Sequence, residues 1–88
     1  MKYKQARPFA DPKAAAMEML RIFRAAIAAK NDPTLKHTYA GITNHEFVWK
    51  SGGSVEEWGL GRDFGKAEGW WTIDGGGRIF IADTAPPT

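Results

Sequence analysis

Apolar positions in residues 11–30 repeat with a helical period. At about 100° per residue, Ala16, Met19, Leu20, Phe23 and Ile27 fall on one stripe, which predicts a helix with that face in the core. Asp11-Pro12 supplies a start, an N-cap acid followed by a proline in the first turn, and Asn31-Asp32-Pro33 supplies a stop. Ile22 points away from the stripe and aligns at heptad spacing with Ala15 and Ala29. It reads either as a lone exposed isoleucine on an alanine-rich face or as the seam of a homodimer formed through this helix.

Residues 34–43, with Tyr39, Ile42 and β-branched neighbours, predict a short strand. Two capping boxes of the form S/T-x-x-E follow, Thr43-Asn44-His45-Glu46 and Ser54-Val55-Glu56-Glu57. They predict a short helix over 44–50, with Phe47 and either Val48 or Trp49 inward, and a longer one over 54–68. Ser51-Gly52-Gly53 between them is only long enough for a turn. On the longer helix Leu60, Phe64 and Ala67 share the expected core face, with Gly61 packing on the first helix. Val55, Trp58, Arg62 and Lys66 lie opposite, and the last three form a ridge at i, i+4, i+8. Gly59 and Gly65 flank that ridge. Gly69 ends the helix, and residues 70–81 alternate as strand, Asp74-Gly75-Gly76-Gly77 turn, strand, with Trp71 and Ile73 on one face and Ile79 and Ile81 on another. Leu20, Phe23, Ile27, Phe64 and Ile79 are expected to be nearly inaccessible.

At 88 residues the chain makes one domain with a small core. Residues 1–10, with Lys2, Lys4, Arg7 and no acid, form a basic arm, either a frayed end or a reach toward a phosphate backbone. Residues 11–84 form the domain, and the proline-rich 85–88 a tail. The absence of cysteine removes disulfides, thiolate metal sites and cysteine nucleophiles, and fits a reducing, cytoplasmic setting. No stretch approaches the roughly 20 apolar residues of a membrane span. His37, His45 and Glu46 lack the further ligands a metal site needs. Gly59-Leu60-Gly61-Arg62-Asp63-Phe64-Gly65 has the wrong spacing and setting for a dinucleotide fingerprint. The reading is therefore not an enzyme, with no cofactor and no metal.

The run Gly53-Ser54-Val55-Glu56-Glu57-Trp58, Gly61-Arg62-Asp63-Phe64-Gly65-Lys66-Ala67-Glu68-Gly69-Trp70 and Arg78-Ile79-Phe80-Ile81 resembles the closing half of small winged-helix proteins. The entry Pro8-Phe9-Ala10-Asp11-Pro12 is similar to that of short bacterial proteins of this kind. The resemblance implies an α+β winged helix-turn-helix fold in the order helix, strand, helix, helix, two-stranded hairpin wing. It also implies double-stranded DNA as the partner and transcriptional regulation as the role. Thr43, Asn44, His45, Lys50, Trp58, Arg62, Lys66 and Arg78 are then the contact residues. Arginine reads guanine edges and lysine neutralises phosphate, while the first turn of the second helix and the wing approach the backbone.

Two features qualify the ridge. Trp58 fits equally well packed beneath the wing beside Trp71, which would leave Arg62 and Lys66 merely solvated. The net charge is only +2, and Glu56, Glu57, Asp63 and Glu68 outnumber Arg62 and Lys66 on the third helix. That mixture suits a protein partner at least as well as DNA. The alternative role is a protein-binding module or inhibitor, for example of mobile-element origin, using the same fold to occupy a protein partner.

Overall fold

The computed structural model describes residues 9–88, so Lys2, Lys4 and Arg7 of the basic arm lie outside the described residues. The described chain is α+β: α1 (Pro12–Ala29), β1 (His37–Tyr39), α2 (Ala40–Trp49), α3 (Val55–Ala67), β2 (Trp71–Ile73) and β3 (Arg78–Ile81). The strands form one antiparallel three-stranded sheet in the order β1-β3-β2, whereas the sequence reading has a separate two-stranded hairpin.

The first helix is capped as its sequence dictates. The Asp11 carboxylate accepts from the Lys13 N–H at 3.1 Å, Pro12 opens the helix, and Asn31 leaves it in the left-handed region at φ 53°. Its buried residues are Ala15, Ala16, Met19, Leu20, Ile22 and Phe23, an arc of roughly 160°. The arc exceeds the single predicted stripe because α1 packs against α2, α3 and β1 together. Ile22 and Ala15 are consequently core residues and only Ala29 of the three is exposed, so they form no dimer seam. Ile27, near the helix end, is only half-buried.

Strand pairing sets where α2 begins. His37, Thr38 and Tyr39 pair with Phe80, Ile79 and Arg78, and the Ala40 N–H donates to the Gly77 carbonyl at 2.9 Å. The helix starts directly at Ala40, four residues earlier than the Thr43 box predicts, and the strand is correspondingly shorter than 34–43. Thr43 lies inside the helix, and its hydroxyl donates back to the Tyr39 and Ala40 carbonyls at 3.0 and 3.2 Å. Phe47 is buried over Gly53, where a Cβ would stand 2.0 Å from its ring.

The second box forms as written. The Glu57 N–H donates to Ser54 Oγ at 3.1 Å, and the Ser54 N–H donates to Glu57 Oε1 at 3.0 Å. The far end closes in a Schellman arrangement: Gly69, at φ 77°, donates to the Lys66 carbonyl at 3.1 Å, and Trp70 donates to that of Gly65 at 2.8 Å. The phase of α3, however, differs from the prediction by roughly 120° at the helical period. Glu57, Trp58, Gly61 and Gly65 face inward, Phe64 is half-buried, and Leu60 and Ala67 face solvent. A Cβ on Gly61 would lie 2.6 Å from Met19 Sδ and 3.0 Å from the Ala15 backbone, and one on Gly65 would lie 2.1 Å from the Trp71 ring. The contact face is thus marked by missing side chains, which an apolar wheel does not register.

Aromatic edges join the layers. Phe23 meets Trp58 and Trp71 edge-on at 5.9 and 5.0 Å, Phe47 meets Trp58 at 5.9 Å, and Phe9 covers Phe47 at 5.0 Å. The Trp71 Nε1–H donates to the Arg62 carbonyl at 3.2 Å. In the hairpin Trp71 opposes Ile81 and Ile73 opposes Ile79, so these four share the inner face. Asp74 organises the turn by accepting from the Gly76 and Arg78 N–H groups, both at 2.9 Å. Residues 85–88 return to α1, where an Arg24 guanidinium nitrogen donates to the Pro86 carbonyl at 2.6 Å. No helix among the described residues is long and apolar enough to cross a membrane.

Three glycines of one helix should respond differently to alanine. Gly61→Ala and Gly65→Ala force a methyl into occupied space and should each cost about 1–3 kcal/mol. Gly59, with only Arg62 Nη2 at 3.9 Å from its would-be Cβ, should gain about 0.8–1 kcal/mol. Urea melts of the three variants give the signs directly, and stabilisation by Gly65→Ala would refute the packing.

The turn between α2 and α3 is tied to α1 by a charged contact. The Ser51 hydroxyl donates to Glu18 Oε2 at 2.6 Å, and Arg21 holds the same carboxylate at 2.5 Å. The Arg21 hydrogen bond holds the Glu18 carboxyl below the usual carboxylate range, partial burial opposes it, and Ser51 adds to the lowering. A depressed folded-state value means that this stability is present above the unfolded value of about 4.3 and is lost as pH falls through the folded one. Glu18→Gln should therefore flatten the acid limb of a stability-versus-pH curve; an unchanged limb would show the contact to be inert.

Candidate functional site

The structure separates the eight sequence-predicted contact residues. Thr43 and Trp58 are interior, the first bonded to backbone and the second 4% exposed between Phe23 and Phe47. Asn44 is half-buried. Arg62 is half-buried, and its Nε donates to Asp63 Oδ1 at 3.0 Å in a solvent-exposed pair. Arg78 stands on the hairpin, with its Nε 2.7 Å from Asp74 Oδ2. His45, Lys50 and Lys66 are exposed. The ridge accordingly loses its aromatic member: Trp58 is buried, as its alternative reading expects, but between Phe23 and Phe47, while Arg62 and Lys66 stay at the surface.

In its place α2 and α3 each expose large apolar side chains, of which the sequence reading has only Val55 facing outward. Ile42 and Trp49 stand seven residues apart on the outer side of α2, 65% and 74% exposed. His45 lies between them, its ring centred 6.0 Å from that of Trp49. Thr43 and Phe47 face the core, and Ile42 and Trp49, roughly 100–160° round the helix from them, therefore cannot. Across the turn, Val55 opens α3 at 68% exposed, and Leu60 is also exposed. The signal available in the sequence was the choice between Val48 and Trp49: with Phe47 inward, Trp49 lies about 200° round the helix and faces out, while Val48 packs against the core.

Electrostatically the outer side of α3 is mixed. Glu56, Asp63 and Lys66 are exposed on it, and Asp63 is partnered by Arg62. Gly59 leaves the helix backbone open on this side. A surface of large apolar groups with balanced charges can exclude water from a complementary protein surface, but it concentrates no positive potential. Among the described residues no three His, Cys, Asp or Glu side chains gather to hold a metal ion.

No protein-family model matches this sequence, and no curated protein or solved structure matches it significantly.

Trp49 contrasts with Trp58, Trp70 and Trp71, which are all buried. Iodide should therefore quench one component of the tryptophan fluorescence, and Trp49→Phe should remove that component while leaving the melting temperature nearly unchanged, within about 0.5 kcal/mol in stability. Quenching that persists in Trp49→Phe would place another tryptophan at the surface.

Proposed function

We propose that this chain is a winged-helix module that docks a protein partner through the outer face of α2 and the opening of α3. The observation that carries the reading is Trp49, 74% exposed and aligned with Ile42 on a helix whose other side is core. Tryptophan is among the commonest anchors of protein interfaces, and large exposed apolar residues concentrated on neighbouring elements mark such surfaces. Val55 and Leu60 extend the apolar area, and Glu56, Asp63, Lys50 and Lys66 supply a polar rim of both signs.

Duplex DNA is the second reading. The element order and the hairpin directly after α3 favour it, together with the exposed Lys50, Lys66 and Arg78. Against it stand the burial of Trp58 and, on α3, the exposed Glu56 and Asp63 beside Lys66. A regulator reading the major groove would have to bring those acids close to phosphates.

Two measurements separate the readings. Partners captured from host extract by the parent chain should be lost in Trp49→Glu and weakened by Ile42→Ser, with both variants melting like the parent. A labelled random duplex, titrated from low to high salt, should show no steep salt-dependent binding. Capture unaffected by Trp49→Glu, together with duplex binding that Lys66→Ala weakens by a salt slope of about one, would transfer the assignment to DNA.

A further inference from the structure

The outward face of the sheet takes no part in the packing above. Thr38 of β1 and Ile79 of β3 are buried, so their neighbours point outward: His37, Tyr39, Arg78 and Phe80, joined by Thr72 of β2. The register sets His37 and Thr72 on either side of Phe80 and puts Tyr39 opposite Arg78. The His37 ring is centred 5.2 Å from that of Tyr39 and 5.4 Å from that of Phe80, which makes the three rings continuous. Tyr39 and Phe80 are 40% and 38% exposed. Lys30 Nζ stands 5.3 Å from the centre of the Tyr39 ring, and Arg78 is exposed alongside. Asp74 holds Arg78 through a surface ion pair, a kind of contact worth about 0–1 kcal/mol and readily exchanged.

We propose that this face binds single-stranded nucleic acid, with bases stacked on Tyr39 and Phe80 and phosphates held by Lys30 and Arg78. The interleaving of rings and cations favours this occupant. Each base offers a π-face to an aromatic ring and each phosphate a charge to a neighbouring cation, with the rings and Arg78 placed by the strands and Lys30 brought over Tyr39 from the end of α1. A duplex cannot use the rings, because its bases are already stacked inside. An acidic protein segment could satisfy the cations but has no repeating planar groups for the rings. The face uses none of the apolar residues assigned to the protein partner, so either reading can fail without the other.

The test is a fluorescence-anisotropy titration of the full chain into a labelled oligothymidylate of about a dozen nucleotides, a length within the usual single-strand site range. Binding at low salt is expected, weakening as salt rises and exceeding that of a duplex of equal length. Tyr39→Ala and Phe80→Ala should each weaken it by about tenfold or more, and Tyr39→Phe should keep most of it. Lys30→Ala and Arg78→Ala should each lower the salt slope by about 0.7. Where Phe80→Ala lowers the melting temperature, Phe80→Leu keeps the apolar cover without a flat ring and should still lose affinity. No binding at low salt, equal affinity in Tyr39→Ala and Phe80→Leu, or a preference for duplex would each overturn the proposal.

Discussion

The close approach of α3 to α1 and to the Trp71 indole is the constraint on which the other elements depend. It is made possible by Gly61 and Gly65, whose missing side chains admit Ala15 and Met19 on one side and the indole on the other. A methyl at either position would push the layers apart, and Trp58 and Trp71 would lose Phe23 as their common neighbour. The indole N–H donates to the Arg62 carbonyl inside that contact, so the hydrogen bond and the aromatic packing are formed together. A domain this small has few independent sources of stability, and here one helix–helix contact, one tryptophan and one hairpin form a single unit.

The sequence was legible where a residue acts on its own neighbours. Asp11-Pro12, the Ser54–Glu57 box, Gly69 and the Asp74–Gly77 turn are local devices, and each forms where its residues stand. Leu20, Phe23 and Ile79 are in the core for a similarly direct reason, lying at the centre of regular apolar patterns. The sequence was illegible where a distant element decides. The start of α2 is set by Gly77, 37 positions away, which accepts the Ala40 N–H, so an attractive Thr43 box lost to sheet pairing. The face of α3 is set by glycines that an apolar wheel counts as blank, and α1 buries Ile22 because three elements cover it.

The phase of α3 and the start of α2 account for the fate of the candidate site. Rotating α3 by roughly 120° carries Trp58 into the core and brings Leu60 out. Starting α2 early brings Thr43 into the helix on its buried side and Ile42 onto the outer side that Trp49 already occupies. Neither change alters which residues are aromatic or charged, but together they take Trp58 out of the ridge and leave Ile42, Trp49 and Leu60 exposed among charges of both signs. The functional reading of a small helical domain therefore turns on helix phase more than on composition.

Charge placement extends that argument. Arg21, Arg62 and Arg78 each have a carboxylate within one to four residues, and each pair is satisfied on its own element. Such pairs contribute little to stability, yet they shorten the reach of each arginine's field and leave no broad positive face on α3. Lys30 differs, since its ammonium lies over the Tyr39 ring and not beside an acid. A phosphate approaching the sheet would meet that charge together with the exposed rings, whereas one approaching α3 would meet Glu56 and Asp63 as well as Lys66. What sets the sheet apart is the placing of a cation over an exposed ring, since its arginine, like that of α3, keeps a carboxylate beside it, Asp74 for Arg78 and Asp63 for Arg62.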